Sequence, residues 1–312
     1  MAVVVNATNF NGTLNDYLYL VKTVGLDTVK KGLIHILAGV SSKTQLDYMK
    51  SDANPIETYT DGAPTFPGVV TKYKKDLTPV KMTVSGTIVP TAWLSVWEKY
   101  RSQGTLTQLR ENPVFMREVM DLIFDSTAEQ LDKLIWQGDT GGAAALAFFD
   151  GLIKLINADA DKIVVTPAGN ITTANVVDIL EAVYEKIPDK FYENPDNKII
   201  MSTTDFRKLQ SANLSAKKTT TGVLSQGIEN MFLNHRILHT ANLTANYIIA
   251  ANASVLPQSN LVMGVYYNLI AEAGDVILDY TTNHSKTVGY RFDFMAAVQI
   301  RYGGDIVFYK PA

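Results

Sequence analysis

From Val288 to Tyr302 every even-numbered residue is apolar: Val288, Tyr290, Phe292, Phe294, Ala296, Val298, Ile300 and Tyr302. The odd positions include Arg291, Asp293, Gln299 and Arg301. Successive side chains of a strand point to opposite faces, so this period of two predicts one long β-strand with a buried side and a wetter one. Typical strands have about five or six residues. One of this length commits the chain to a sheet that other segments must pair with and cover. Met295 and Ala297 interrupt the polar side, so burial in the middle is expected on both faces. "GGD" then turns the chain into a last strand, "IVFYK". Upstream, "NLVMGVYYNLIAEAGDVILDYTT" reads as two more strands with "EAGD" as the turn between them.

A long helix is the second clear element. Asn112 and Pro113 suit its start, as cap and first-turn residue. Phe115, Met116, Val119, Met120, Leu122, Ile123, Leu131, Leu134 and Ile135 give it a broad apolar side as far as Gln137. At about 1.5 Å per residue it is roughly 35 Å long. Glu118, Asp121, Asp125, Glu129 and Asp132 recur three or four apart and share one side of it. They form the best metal-site candidate in the chain, but the Glu-x-x-His pairs of carboxylate-bridged metal bundles do not occur. A solvated or subunit-facing acidic stripe is the reading adopted.

"IWQGDTGG" at 135–142 is glycine-rich and could suggest a phosphate cradle. Such a loop follows a strand and opens a helix, whereas this one follows a helix, whose carbonyl end repels anions. Gly138 is expected to close the helix with a positive φ.

The segment from Lys43 to Val89 contains Pro55, Pro64, Pro67 and Pro79, which exclude a continuous helix. Two alternating stretches flank the turn-rich "TDGAPTFPG" and predict a long β-ribbon. A lone ribbon is marginal in water, because ordering each residue costs about 1–2 kcal/mol and few apolar groups offset it. Either the ribbon stays disordered or another surface, such as a second subunit, orders it. Lys72, Lys74 and Lys75 form a solvated strand face or a charged contact to a partner.

Elsewhere, "LDTVKKGLIHILAGV" predicts an amphipathic helix with His35 beside its apolar face, and "PTAWLSVWEKY" a shorter one. Residues 139–256 alternate helices and strands: helix in "ITTANVVDILEAVYEKI", strand in "NKIIMS", helix from "STTDFRKLQSA", an exposed loop in "LSAKKTTTGVLSQG", then strands "HRILH" and "NYIIAA". His235 and His239 share a strand face about 13 Å apart, too far to hold one metal.

The chain has no cysteine, which removes disulfides, thiol catalysis and cysteine zinc sites. Its net charge of −3 and lack of a basic block disfavour tight whole-surface binding of nucleic acid. No run of about 20 apolar residues is present to span a bilayer, and the first residues lack a basic region, so neither a membrane partner nor a secretory signal is expected. G-x-S-x-G, Walker A, G-x-G-x-x-G after a strand and H-E-x-x-H are all missing. An enzyme is not expected, and no cofactor or metal is assigned.

The order of elements resembles the major capsid protein of tailed bacteriophages, the Hong Kong 97-type fold, over nearly the whole chain. "VFMREVMDLIFDSTAEQLDKLIWQGDT" is similar to that family's spine helix and its exit, "GGAAALAFFDGLIKLI" to the lead into its axial domain, "NKIIMSTTDFRKLQS" to an axial strand and helix, and "YRFDFMAAVQIRYGGDIVFY" to its closing strands. The resemblance implies an α+β fold with an N-terminal arm (1–42), an extended β-ribbon loop (43–84), a peripheral domain with the spine helix (85–140 and 255–312) and an α/β axial domain (141–254). The "IWQGDTGG" stretch would then be a hinge between spine and axial domain. The resemblance further implies a structural protein that assembles through pentamers and hexamers into an icosahedral shell around double-stranded DNA, without sequence-specific DNA binding. It would be found in the virion capsid, and in the host cytoplasm during assembly. Scaffolding, portal and decoration proteins are partners it allows; scaffolding would be a separate protein, the reading favoured here, or a segment already trimmed from this chain. Lys72, Lys74, Lys75, Tyr59, Phe66, Glu118, Asp125 and Glu129 are the implied subunit-contact residues; no lysine cross-link is assigned, since no motif marks its partners. The rival readings are an encapsulin-like shell enclosing cargo enzymes and, from another class, a carboxylate-metal hydrolase using the acidic stripe.

Overall fold

The computed structural model describes residues 26–51, 70–88, 113–166, 169–221, 231–266, 277–280 and 288–311. In chain order its elements are α1 (Asp27–Lys30), β1 (His35–Ala38), β2 (Thr44–Ser51), β3 (Val70–Leu77), β4 (Val80–Ile88), α2 (Pro113–Gln137), α3 (Leu152–Ala158), β5 (Ile163–Val164), α4 (Val176–Glu185), β6 (Asn197–Ser202), α5 (Thr203–Thr221), β7 (Met231–Phe232), β8 (His235–Thr240), β9 (Ile248–Asn252), β10 (Leu261–Tyr266), β11 (Ile277–Tyr280), β12 (Val288–Ile300) and β13 (Val307–Tyr309).

The alternating segment forms β12, the centre of a five-stranded sheet. Antiparallel β4 pairs with its residues 288–296, while β10 and β11 pair with 295–300 and 288–291. The overlapping registers put β10 and β11 on one edge of β12 and β4 on the other. Phe292, Phe294, Ala296, Val298, Ile300 and Tyr302 are buried, as the period requires. Ala297 is buried on the opposite face against Val40, Leu46, Leu77 and Val262, which makes mid-strand burial two-sided. The two upstream strands form, yet they do not pair with each other: each pairs antiparallel with a different stretch of β12, Leu261–Tyr266 with 295–300 and Ile277–Tyr280 with 288–291. "EAGD" lies outside the described residues.

A six-stranded sheet runs β5-β13-β9-β6-β8-β7. Its inner strands β13, β9 and β6 are buried on both sides, and the alternation is strict. Ile200, Leu238, Ile249, Ala251 and Phe308 enter the core that holds α2, α3 and the five-stranded sheet. Ile199, Met201, Ile237, Ile248, Ala250, Val307 and Tyr309 face α4 and α5. The closing strand β13 therefore joins this second sheet, with a 3₁₀ turn at Gly303–Asp305 carrying the chain across from β12.

Three local expectations change. The helix expected in "LDTVKKGLIHILAGV" is limited to α1; Gly32 at φ +62 ends it, and residues 35–38 pair parallel with β10. An open strand edge offers these residues a full ladder, which outweighs their helical spacing. Leu33 and Ile34 are nevertheless fully buried. Residues 214–221, expected as loop, continue α5, since no Gly or Pro interrupts the chain before Gly222. Leu122 is exposed on α2, while Trp136, absent from the expected apolar side, is fully buried. Asn112 and the "PTAWLSVWEKY" segment lie outside the described residues.

His235 and His239 both lie on β8 and are engaged separately. His235 Nδ1 is 3.1 Å from the Asn197 carbonyl, and the His239 ring stacks on Phe206 with centroids 4.5 Å apart. Burial first, and then the charge of Lys31, hold His239 below its ordinary 6.5; Arg207 acts the same way and Asp27 opposes. As pH falls, the unfolded chain takes up this proton before the folded one. The histidine's contribution to stability is therefore complete above pH 6.5 and is lost as pH falls from there through the lower folded-state value. Chemical denaturation across this range should show a shallower acid-side decline for His239→Gln than for the unchanged chain; identical declines would remove His239 from the acid response.

Candidate functional site

A protein with the predicted long helix and ribbon would act through the faces those elements present, and through the joints that aim them. The first joint lies at the end of α2. Asp132 is 1% exposed: its Oδ1 accepts from the Thr28 backbone N–H at 3.1 Å and its Oδ2 from Asn242 Nδ2 at 2.6 Å. One turn on, Trp136 Nε1 donates to Thr28 Oγ1 at 2.7 Å. The acidic stripe therefore splits. Asp125 and Glu129 stay in solvent, and Glu129 pairs with Lys133 at 3.0 Å. Asp132 faces the same way, but by that turn the helix has entered the core, so the carboxylate serves as an acceptor for buried donors. The side chains of Glu118 and Asp121 lie outside those described. Among the described residues no group of three metal-ligating side chains occurs.

Gly138 follows at once. It does not adopt a positive φ; the described glycines that do are Gly32, Gly39 and Gly169. It is glycine for lack of room instead. A Cβ there would sit 2.3 Å from the Phe149 carbonyl oxygen and 2.7 Å from that of Leu134. Gly151 is packed against it, with Gly151 N–H donating to the Gly138 carbonyl at 2.8 Å. The loop between them is tied rather than loose. Lys154 Nζ bridges Asp139 Oδ1 at 2.6 Å and Asp150 Oδ1 at 2.7 Å. Thr140 donates its backbone and hydroxyl protons to Asp150, and Gly141 N–H donates to Asp139. The hydrogen bond from Lys154, then that from Gly141, hold Asp139 below the usual carboxylate range. Burial pushes Asp150 up, and the Lys154 and Thr140 bonds overcome it to leave a net lowering.

The second joint is the root of the ribbon. β2 and β3 pair antiparallel from Thr44↔Leu77 to Ser51↔Val70. Opposed residues share a face, so Leu46, Tyr48 and Lys50 lie with Leu77, Lys75, Tyr73 and Thr71. This face turns to the body. Tyr48 stacks on Tyr302 at 4.8 Å with the rings 6° from parallel, and Tyr73 packs on the same ring at 4.6 Å. Tyr48 Oη donates to Asp305 Oδ2 at 2.7 Å, and Lys190 Nζ lies 2.6 Å from the other oxygen. Lys75 pairs with Asp159, whose carboxylate is almost wholly buried. Burial, then the Asp305 bond, hold the Tyr48 phenol well above its ordinary value, so it stays a donor.

The ribbon's other face carries Gln45, Asp47, Met49 and Ser51 beside Asp76, Lys74, Lys72 and Val70. Lys72 bonds Asp47 at 2.6 Å, Lys74 is exposed, and Met49 and Val70 are among the most exposed apolar residues described. Lys72 and Lys74 thus point outward, whereas Lys75 points inward. Tyr59 and Phe66 lie outside the described residues. A groove of about 480 Å³ runs between β4 and α2, lined by Met82, Val84, Leu122, Gln130, Phe148 and Phe294 among others.

Tyr48, Tyr73, Tyr302, Lys190 and Asp305 were not selected by motif or spacing. The signals available were Tyr48 and Tyr73 in phase with the apolar Leu46 and Leu77, and paired glycines directly after the longest strand.

No protein-family model and no curated protein matches the sequence. Solved structures do match the fold. A chain of the satellite phage P4 procapsid that includes its size-determination protein aligns with a TM-score of 0.62 at 12% identity, covering 96% of this chain and 92% of that one. The capsid of a native GTA particle aligns at 0.59 and 10% identity, covering 100% and 96%. A chain of Microbacterium phage Oxtober96 aligns at 0.54 and 15% identity, with the same coverage. The mixed helix-and-sheet architecture is the phage-capsid fold of the Hong Kong 97 type.

Proposed function

We propose that this chain is the major capsid protein of a tailed bacteriophage, assembling through pentamers and hexamers into an icosahedral shell that encloses double-stranded DNA. The observation that carries this reading is the fold likeness to capsid chains over essentially the full length of both partners. On this reading residues 141–254 form the axial domain, 85–140 and 255–312 the peripheral domain, and assembly takes place in the host cytoplasm. Scaffolding, portal and decoration proteins are the partners it allows.

The subunit contacts proposed are those whose side chains face outward. Lys72 and Lys74, with Asp47, Asp76, Met49 and Val70 beside them, supply a mixed-charge and apolar surface on the ribbon. Asp125 and Glu129, beside Leu122 and the groove, supply an acidic and apolar one on α2. The fold keeps the two surfaces on different elements, and the exposed Lys74 and Asp125 are the charges each can offer to another copy.

Negative-stain microscopy of the purified chain tests the reading: closed shells or rings of capsomers are expected, and a uniform monomer would overturn it. Co-purifying DNA supports a genome shell, whereas an enclosed enzyme would favour an encapsulin-like one. Reversing the ribbon charges (Lys72→Glu with Lys74→Glu) should raise the concentration needed for assembly by about fivefold, the ratio that about 1 kcal/mol per contact produces. Adding Asp125→Lys and Glu129→Lys should recover part of that loss. An assembly threshold unchanged by the ribbon pair would remove these lysines from the contact.

A further inference from the structure

With the ribbon's outer face available to a second copy, its inner face is already occupied by its own subunit. We propose that the turn Tyr302–Gly303–Gly304–Asp305 is a socket that locks the root of the ribbon to its own body, so that the ribbon's direction is set before any second copy arrives. The use of this direction in assembly rests on the capsid reading; the lock itself is a property of one chain.

Three sets of contacts converge there. The Tyr302 ring receives both ribbon tyrosines, one from each strand, so neither strand can move on it alone. Two buried carboxylates then hold the ribbon: Asp305 takes the Tyr48 hydroxyl and Asp159 takes Lys75. The glycines provide the clearance. A Cβ on Gly303 would lie 2.2 Å from Asp159 Oδ1, and one on Gly304 would lie 2.6 Å from the Tyr302 ring itself. Below the socket, Leu46 and Leu77 are buried on β10 and β12, and Gln299 Nε2 donates to the Asp76 carbonyl at 2.9 Å. A free ribbon offers its residues too little burial to stay ordered. This one has its root packed on two strands of the main sheet.

The geometry makes the socket matter at a distance. The eight pairs span about 26 Å, and the socket grips the fifth of them, Tyr48 with Tyr73, so its hold reaches past the middle of the paired ribbon.

Hydrogen exchange on the full chain, kept unassembled by dilution, tests this. Amides of Thr44–Tyr48 and Tyr73–Leu77 are expected to be protected in the unassembled chain. Tyr302→Ala should lower that protection by about tenfold, the ratio corresponding to about 1.4 kcal/mol, while amides of Leu131–Gln137 keep theirs. Tyr48→Phe, which removes only the hydroxyl bonded to Asp305, should give a smaller loss in the same strands and serves if Tyr302→Ala fails to fold. A ribbon root that exchanges freely until shells form would overturn the proposal, as would protection unchanged in both variants. Because the readout is taken before assembly, these outcomes are independent of whether closed shells are ever seen.

Discussion

Gly138→Ala is expected to keep the chain from accumulating in its folded form. The Cβ it adds would meet Phe149 O at 2.3 Å, Leu134 O at 2.7 Å and Gly151 N at 3.0 Å, all of them backbone atoms. Side-chain crowding in a core costs about 1–3 kcal/mol because rotamers can give way. Here the chain itself would have to move, on both sides, and Gly151 leaves no slack: a Cβ there would lie 2.6 Å from Gly138 N. The expected penalty is therefore at the upper end or beyond, about 3 kcal/mol or more. Soluble yield and far-ultraviolet circular dichroism give the readout. Alanine at Gly141 is the comparison, since its Cβ would come no closer than 3.5 Å to Asp139 Oδ1. If Gly138→Ala folds as well as Gly141→Ala, the close approach of the two glycines does not constrain the joint.

The second large effect is expected at Trp136, two residues earlier. Its side chain is fully buried, and its indole N–H donates to Thr28 Oγ1. Truncation to alanine removes one of the largest buried groups in the shared core and should cost about 3–5 kcal/mol. Trp136→Phe separates packing from hydrogen bonding. It keeps most of the volume and should cost about 1–2 kcal/mol, chiefly from the lost bond to Thr28. The shift in urea midpoint at constant slope measures both. Equal losses for the two variants would mean that the hydrogen bond, not the buried volume, holds α1 to α2. Both substitutions strike the place where the long helix becomes part of the core. That place also fixes where the exposed Asp125 and Glu129 point.

The long helix and the long strand were legible because their evidence is local. Pro113 and Gly138 bracket α2, and the helix runs from Pro113 to Gln137 between them. The alternation at 288–302 needs only neighbouring residues to be recognised, and "NKIIMS" forms its strand over the same six residues. The ribbon was legible in part: Thr44–Ser51 and Val70–Leu77 pair as expected, whereas Val80–Ile88, read as part of the same extended segment, pairs with β12 instead. In the candidate site, Lys72 and Lys74 lie on the exposed strand face and Asp125 and Glu129 on the exposed side of α2. Lys75 departs from them because a strand turns each side chain opposite to the last, and its face meets Asp159.

What was not legible depends on partners far away in the chain. Residues 35–38 have helical spacing, and only the open edge of β10, more than two hundred residues later, makes them a strand. Asp132 looks like its neighbours in the stripe until Thr28 and Asn242 are brought to it. Gly138 has the sequence setting of a helix cap, but its actual constraint is the backbone of residues 149–151 passing against it. The chain by itself determined which segments alternate with period two, which with period near four, and where Pro and Gly interrupt them, since these follow from covalent geometry and burial of single elements. Only the tertiary structure decided that β10 and β11 pair with different stretches of the same edge of β12, that β13 crosses to the second sheet, and that Tyr48, Tyr73, Tyr302 and Asp305 meet. Periodicity sets the face a side chain occupies; which other face it meets depends on long-range packing that no local pattern records.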